Sequence, residues 1–158
     1  MRGDFAGRIG RKSKRLAAIN RRFPQLPGRT ECRRETRHHQ AGGIRELHWH
    51  PNASKWQFYI AGKGRMTVFS PVGNARTMDF HANDVGYVPA VAGHYVENTG
   101  DTDLVFLELF KASESLDFSL NNWIRRLPPE MVASHLNLDE DDIKKIPAEN
   151  QALIGEKK

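Results

Sequence analysis

The sequence predicts an all-β domain, an antiparallel sandwich or barrel followed by short C-terminal helices. Residues 41–111 break into short runs rich in Val, Ile, Phe and Tyr. Turn chemistry separates these runs at near-regular spacing, and no helical pattern intervenes. From residue 112 the apolar period changes to one that suits helices.

Taken in order, the runs are "IRELHWH", "WQFYIAG", "RMTVFS", "ARTMDFH", "VGYVP", "HYVEN" and "LVFLELF". The breaks between them are "HPNAS", "AGKG", "SPVGN", "ANDV", "PAVAG" and "NTGDTD". Alternation puts Met66 and Val68 on one face of their strand and Arg65 and Thr67 on the other. "WQFYI" and "LVFLELF" read as buried on both sides, with Trp56 and Tyr59 as wall packing. Beyond them, "SLNNWIRRL" spaces Leu120, Trp123, Ile124 and Leu127 for one helical face. "PPEMVASHL" opens with proline and carries Glu130 in its first turn. "LDEDDIKKI" is acidic at its start and basic near its end, as a helix dipole favours.

At 158 residues, the chain has room for one domain with a real core. Its net charge of +5 is uneven: residues 1–40 hold 12 Lys+Arg against 3 Asp+Glu, while residues 41–158 hold 12 against 16. The chain is thus read as a basic leader (1–40), a β core (41–111) and a helical extension with a polar tail (112–158). The leader reads as a solvated tail, because no aromatic–basic interleaving accompanies its charge. Nothing in "GRTECRRETRHHQ" reads as a strand, which suggests a foreign or frame-shifted segment. A nucleic-acid arm is the rival reading for this zone. The lone Cys32 excludes an internal disulfide and a cysteine zinc cluster. No run reaches the ~18 apolar residues of a membrane span, and the start lacks a secretory apolar region. A cytoplasmic location is expected.

The chemistry concentrates in His48 and His50, which flank Trp49 and so share a strand face. His94 opens a later strand that a barrel brings opposite them. Three neutral imidazoles suit manganese, iron or zinc. Of the other histidines, His38 and His39 lie in the leader, and His81 and His135 lie near turns or helix ends.

Residues 42–62 follow the spacing G-x5-H-x-H-x4-E-x6-G at Gly42, His48, His50 and Gly62. Residues 83–98 follow G-x5-P-x-G-x2-H-x3-N at Pro89, His94 and Asn98. In these motifs and in "RELHWHPNA", "GRMTVF", "DVGYVP" and "GHYVENTGDT", the chain resembles the cupin superfamily, specifically the C-terminal half of two-domain oxalate decarboxylases. The resemblance, over roughly residues 41–145, implies a double-stranded β-helix (jelly roll) with manganese bound by His48, His50 and His94 inside it. It implies dioxygen-dependent conversion of oxalate to formate and carbon dioxide, with Arg45 binding the substrate carboxylate and Glu108 donating a proton. It also implies a homo-oligomer and a preceding domain with its own metal and lid, neither visible in this sequence.

Three positions depart from the motifs. Asn83 and Val91 stand where they place glycine, and Lys55 stands where they place the glutamate ligand. Lysine offers a positive charge and no acceptor. Loss of an anionic ligand weakens metal binding by at least the ~10–100-fold typical of losing an outer partner. The expectation is a weakened centre completed by water, with Glu46 or Glu108 as possible substitute oxygens. Arg45 reaches the histidine face only through a bulge or edge twist, because strict alternation turns it away. The rival reading for this zone is a catalytically silent cupin serving in binding or assembly.

Overall fold

The computed structural model describes residues 32–147 and 153–155. Its strands are β1 (Arg33–His39), β2 (Ile44–Trp49), β3 (Lys55–Ala61), β4 (Gly64–Phe69), β5 (Ala75–Phe80), β6 (Val85–Val88), β7 (His94–Asn98), β8 (Leu104–Phe110), β9 (Phe118–Ser119) and β10 (Leu153–Ile154). Three short helices complete it: α1 (Leu120–Arg125), α2 (Pro129–Leu136) and α3 (Glu140–Lys144). One sheet runs β1-β8-β3-β6 and the other β10-β2-β7-β4-β5, with β9 added beside β2. Every pairing is antiparallel.

The apolar core lies between the sheets. Tyr59, Met66, Phe80, Val88, Ala92, Val96, Leu104 and Phe106 are buried together, and Val68 packs against them. Tyr59 stacks on Phe80 at 4.5 Å between ring centroids. A second, smaller cluster joins Val132, Ala133 and Ile143, with Ile124 and Leu127 against it. Helices α2 and α3 therefore pack on each other, while α1 lies against β2 and β9, where Trp123 meets Trp49 at 6.0 Å between ring centroids.

Two expectations are corrected. β1 falls inside the supposed leader, yet it pairs with β8 along its whole length, from Arg33↔Phe110 to His39↔Leu104. Its inward residues include Glu35 and His39, so it shows no apolar alternation to read. Residues 33–39 therefore belong to the sheet, and residues 1–31 of the leader lie outside the described residues. The second correction concerns β3, which is buried on one face only: Trp56, Phe58 and Ile60 point outward, with Trp56 53% exposed.

The two glycine positions that the motifs lose do adopt left-handed backbone. Asn83 has φ 73° and Val91 has φ 59°. Asparagine tolerates this region, whereas β-branched valine is strained in it. Gly62 keeps its glycine for a spatial reason as well: a Cβ there would lie 2.6 Å from the Asp103 carbonyl oxygen.

Candidate metal centre

β2 and β7 bring His48 and His94 together as a cross-sheet pair, and His50 follows just past the end of β2. All three imidazoles are buried, and their candidate ligand atoms lie within 4.8 Å of one another. Each ring donates its Nδ1 proton to a backbone carbonyl: His48 to Glu46 at 2.6 Å, His50 to Leu116 at 2.8 Å, and His94 to Ala92 at 2.9 Å. A carbonyl can only accept, so these bonds place the lone pair on Nε2 of every ring. The Nε2 atoms of His50 and His94 are buried without a partner. Such orphaned acceptors are costly unless something electrophilic meets them.

Burial keeps the rings neutral. It lowers the His50 pKa to about 4, with the Lys55 charge assisting. His94 lies well below the ordinary histidine range, first through burial and then through Lys55. His48 is lowered by burial, by His94 and by Arg45 and Lys55. Three neutral imidazoles with Nε2 turned inward fit a divalent first-row cation.

Arg45 reaches the interior by the irregularity that alternation demands. The register of β2 against β7 shifts between Arg45 and His48, so Arg45 faces Val96 while His48 faces His94. This bulge leaves Arg45 and Glu46 both buried and turns Leu47 outward. Arg45 is ion-paired with Asp117 and lies 3.4 Å from Glu46. Glu46 also accepts the Ser119 hydroxyl at 2.8 Å.

The opposite sheet presents fixed charges. Lys55 is 1% exposed and donates to Glu108 Oε1 at 2.6 Å. Glu108 accepts Arg37 Nε at 2.8 Å and Gln57 Nε2 at 3.0 Å as well. Arg37 in turn pairs with Glu35, and Glu35 pairs with Arg33. Burial alone would raise the Glu108 pKa, but Lys55 and Arg37 outweigh it and hold the carboxyl well below the usual range. Neither Glu46 nor Glu108 joins the three histidines, which form the candidate metal group among the described residues.

Residues 31–144 match the Cupin family. The chain is a cupin. It is similar to the oxalate decarboxylase OxdC of Bacillus subtilis, 51% identical over 118 residues, which make up 75% of this chain and 31% of that protein. A probable oxalate decarboxylase of Arthroderma benhamiae is 43% identical over 115 residues, 72% of this chain and 28% of that protein. A structure of the Bacillus subtilis enzyme described for its Mn(II) centres superimposes with a TM-score of 0.77 at 48% identity, covering 80% of this chain and 33% of that one. The cupin thus spans about a third of the relatives it matches.

Within this cupin the structure brings His48, His50 and His94 together and turns Arg45 inward, while Glu108 is drawn into the Lys55 network. The segment 114–119 escaped sequence reasoning. Ser115 donates to Glu35 at 2.8 Å, the Leu116 carbonyl receives His50, Asp117 holds Arg45, and Ser119 holds Glu46. Asn52 braces its first half, donating to the Glu114 carbonyl at 2.9 Å and accepting the Leu116 amide at 3.1 Å. "SLDFS" alternates polar and apolar residues over a stretch too short to read as a strand; its signal was Ser115, Asp117 and Ser119 at every second position, a few residues beyond β8. Arg37 was missed with the rest of β1.

Proposed function

We propose that this chain is a metal-dependent cupin of oxalate decarboxylase type, acting on oxalate with low activity as it stands. The convergence of three neutral imidazoles, with the Nε2 atoms of His50 and His94 buried and unpartnered, carries this reading. His48, His50 and His94 would hold a divalent first-row ion. Manganese is the ion named for the Bacillus subtilis relative, and iron or zinc suit the same nitrogens. When bound, the ion would hold an oxalate oxygen and stabilise charge as the carbon–carbon bond breaks.

The chain's own residues would do the rest. Arg45 would take the far carboxylate of oxalate in place of Asp117, which is half-exposed and sits on the segment 114–119. Conversion to formate and carbon dioxide breaks the carbon–carbon bond and requires one proton delivered to the carbon that becomes formate. A donor must hold that proton beforehand, and Glu108 is held ionised. The Lys55–Glu108 pair together therefore stores the proton, with Lys55 bearing it at rest and Glu108 passing it on. Committing Glu108 in this way keeps turnover low.

The test is formate release from oxalate by the purified, ion-loaded chain, measured beside its metal content. Slow, ion-dependent formate release is expected. An ion-loaded protein releasing none would overturn the oxalate reading.

A second reading, a catalytically silent module for binding or assembly, is favoured by the outer face of β3 and β6. Trp56 lies beside Tyr87 at 4.7 Å, and Phe58 faces Val85 across the strands, all four exposed. Such a face suits a second copy, and a homo-oligomer goes with either reading. Sedimentation of a Trp56→Ser variant checks it: a smaller particle supports assembly through this face, and an unchanged one overturns it. A cytoplasmic location accompanies both readings; among the described residues, no helix is long and apolar enough to cross a membrane.

A further inference from the structure

Resting on the metal-centre reading above, we propose that Lys55 decides which ion the three histidines accept. It makes the centre an all-nitrogen site that favours borderline ions such as zinc and cobalt over oxygen-preferring manganese.

The interior supplies nitrogen donors and withholds oxygen donors. His48, His50 and His94 offer their Nε2 atoms. The buried carboxylates Glu46 and Glu108 are both committed. Glu46 is taken by Ser119 and Arg45, and Glu108 by Lys55, Arg37 and Gln57. Lys55 is placed to enforce this. It sits opposite Phe110 on β8, and the Phe110 ring meets the His50 ring at 5.0 Å between centroids. Its ammonium binds Glu108, a buried carboxylate of that wall.

Charge counting points the same way. The buried carboxylates of Glu35, Glu46 and Glu108 are answered by Arg37, Arg45 and Lys55. A divalent ion therefore meets no protein anion left to balance it, and only the strength of its bonds to imidazole offsets the cost. Zinc and cobalt form stronger bonds to imidazole, whereas manganese draws more of its affinity from carboxylate oxygens. Any such site ranks manganese below zinc, so the diagnostic quantity is how far Lys55 widens that gap.

The experiment titrates the metal-stripped full chain with Zn2+, Co2+ and Mn2+. Calorimetry reads zinc, visible absorption reads cobalt, and the electron paramagnetic resonance of free ion reads manganese. The parent is compared with Lys55→Met, which removes the ammonium, and Lys55→Glu, which also supplies an oxygen. Because Lys55→Glu sets a second carboxylate beside Glu108, the double variant Lys55→Glu with Glu108→Gln is run beside it. The expected result is a Mn2+-to-Zn2+ dissociation-constant ratio that falls about 10–100-fold in the Glu-bearing variants relative to the parent. In Lys55→Met the ratio falls by less than in those variants. A ratio unchanged between the parent and folded Glu-bearing variants overturns the role of Lys55 and leaves the metal centre standing. Failure of all three ions to bind folded parent and variants overturns the metal centre itself.

Discussion

Two walls of one barrel face each other here with opposite chemistry. The β2–β7 wall presents three uncharged rings, two of which, His50 and His94, turn in a nitrogen that has no partner. The β1–β8–β3 wall presents a ladder of charges, Arg33, Glu35, Arg37, Glu108 and Lys55, that already satisfy one another. A polar interior can therefore be poised for a ligand or closed upon itself, and burial does not distinguish the two. What distinguishes them is whether the donors and acceptors have been spent.

The sharpest way to break the contrast is to leave the charged wall unbalanced. Glu108→Gln strips Lys55 and Arg37 of their shared carboxylate and should cost about 3–5 kcal/mol in denaturant unfolding. A loss under 1 kcal/mol would mean that the ladder is not closed.

Acid tests the neutral rings. Burial holds His39 and His50 at about 4, below the ordinary 6.5. Their stabilisation is complete above pH 6.5, where folded and unfolded rings are both neutral. It is lost as the pH falls from 6.5 toward 4, because only the unfolded chain takes up the protons. Each ring should contribute a slope of about 1.4 kcal/mol per pH unit within that window, and His48 and His94 add to it with the same sign. Urea unfolding of the metal-stripped protein at pH 7, 6 and 5 checks this, and a flat profile would contradict it.

Removing one inward nitrogen separates affinity from stability. His94→Ala should weaken zinc binding by at least about 100-fold, or roughly 2.7 kcal/mol, read by calorimetry. The charged ladder should remain intact. A smaller expected effect has the opposite sign: Val91→Gly relieves a valine at φ 59° and should stabilise by about 1 kcal/mol. Least of all, Arg65→Ala removes an exposed, solvent-screened pair with Asp79 and should leave the unfolding midpoint unchanged. Thermal unfolding measures both variants.

The difference between the walls also explains what could be read in advance. Seven strands and three helices were legible because turn residues and apolar period mark them. The histidines were legible because two share a strand face and all three keep motif spacing. β1 was not, because Glu35, Arg37 and His39 point inward and mimic the composition of a solvated tail. The outward face of β3 was misread because Trp56, Phe58 and Ile60 look like core residues when no neighbour is known. Lys55 was visible as a departure, but its partner was not. Sequence spacing does not show that Glu108, on a strand 53 residues away, meets its ammonium.

The segment 114–119 reaches both walls, and through the Leu116 carbonyl it determines which nitrogen of His50 carries the proton. Thermodynamic linkage makes that contact reciprocal. Whatever affinity a seated segment lends to an ion at His50 Nε2, the ion returns as tighter seating of the segment. Ion occupancy is thereby written into the backbone motion of a stretch that ligates nothing. Slowed amide exchange across residues 114–119 becomes a gauge of the centre that requires no view of the ion.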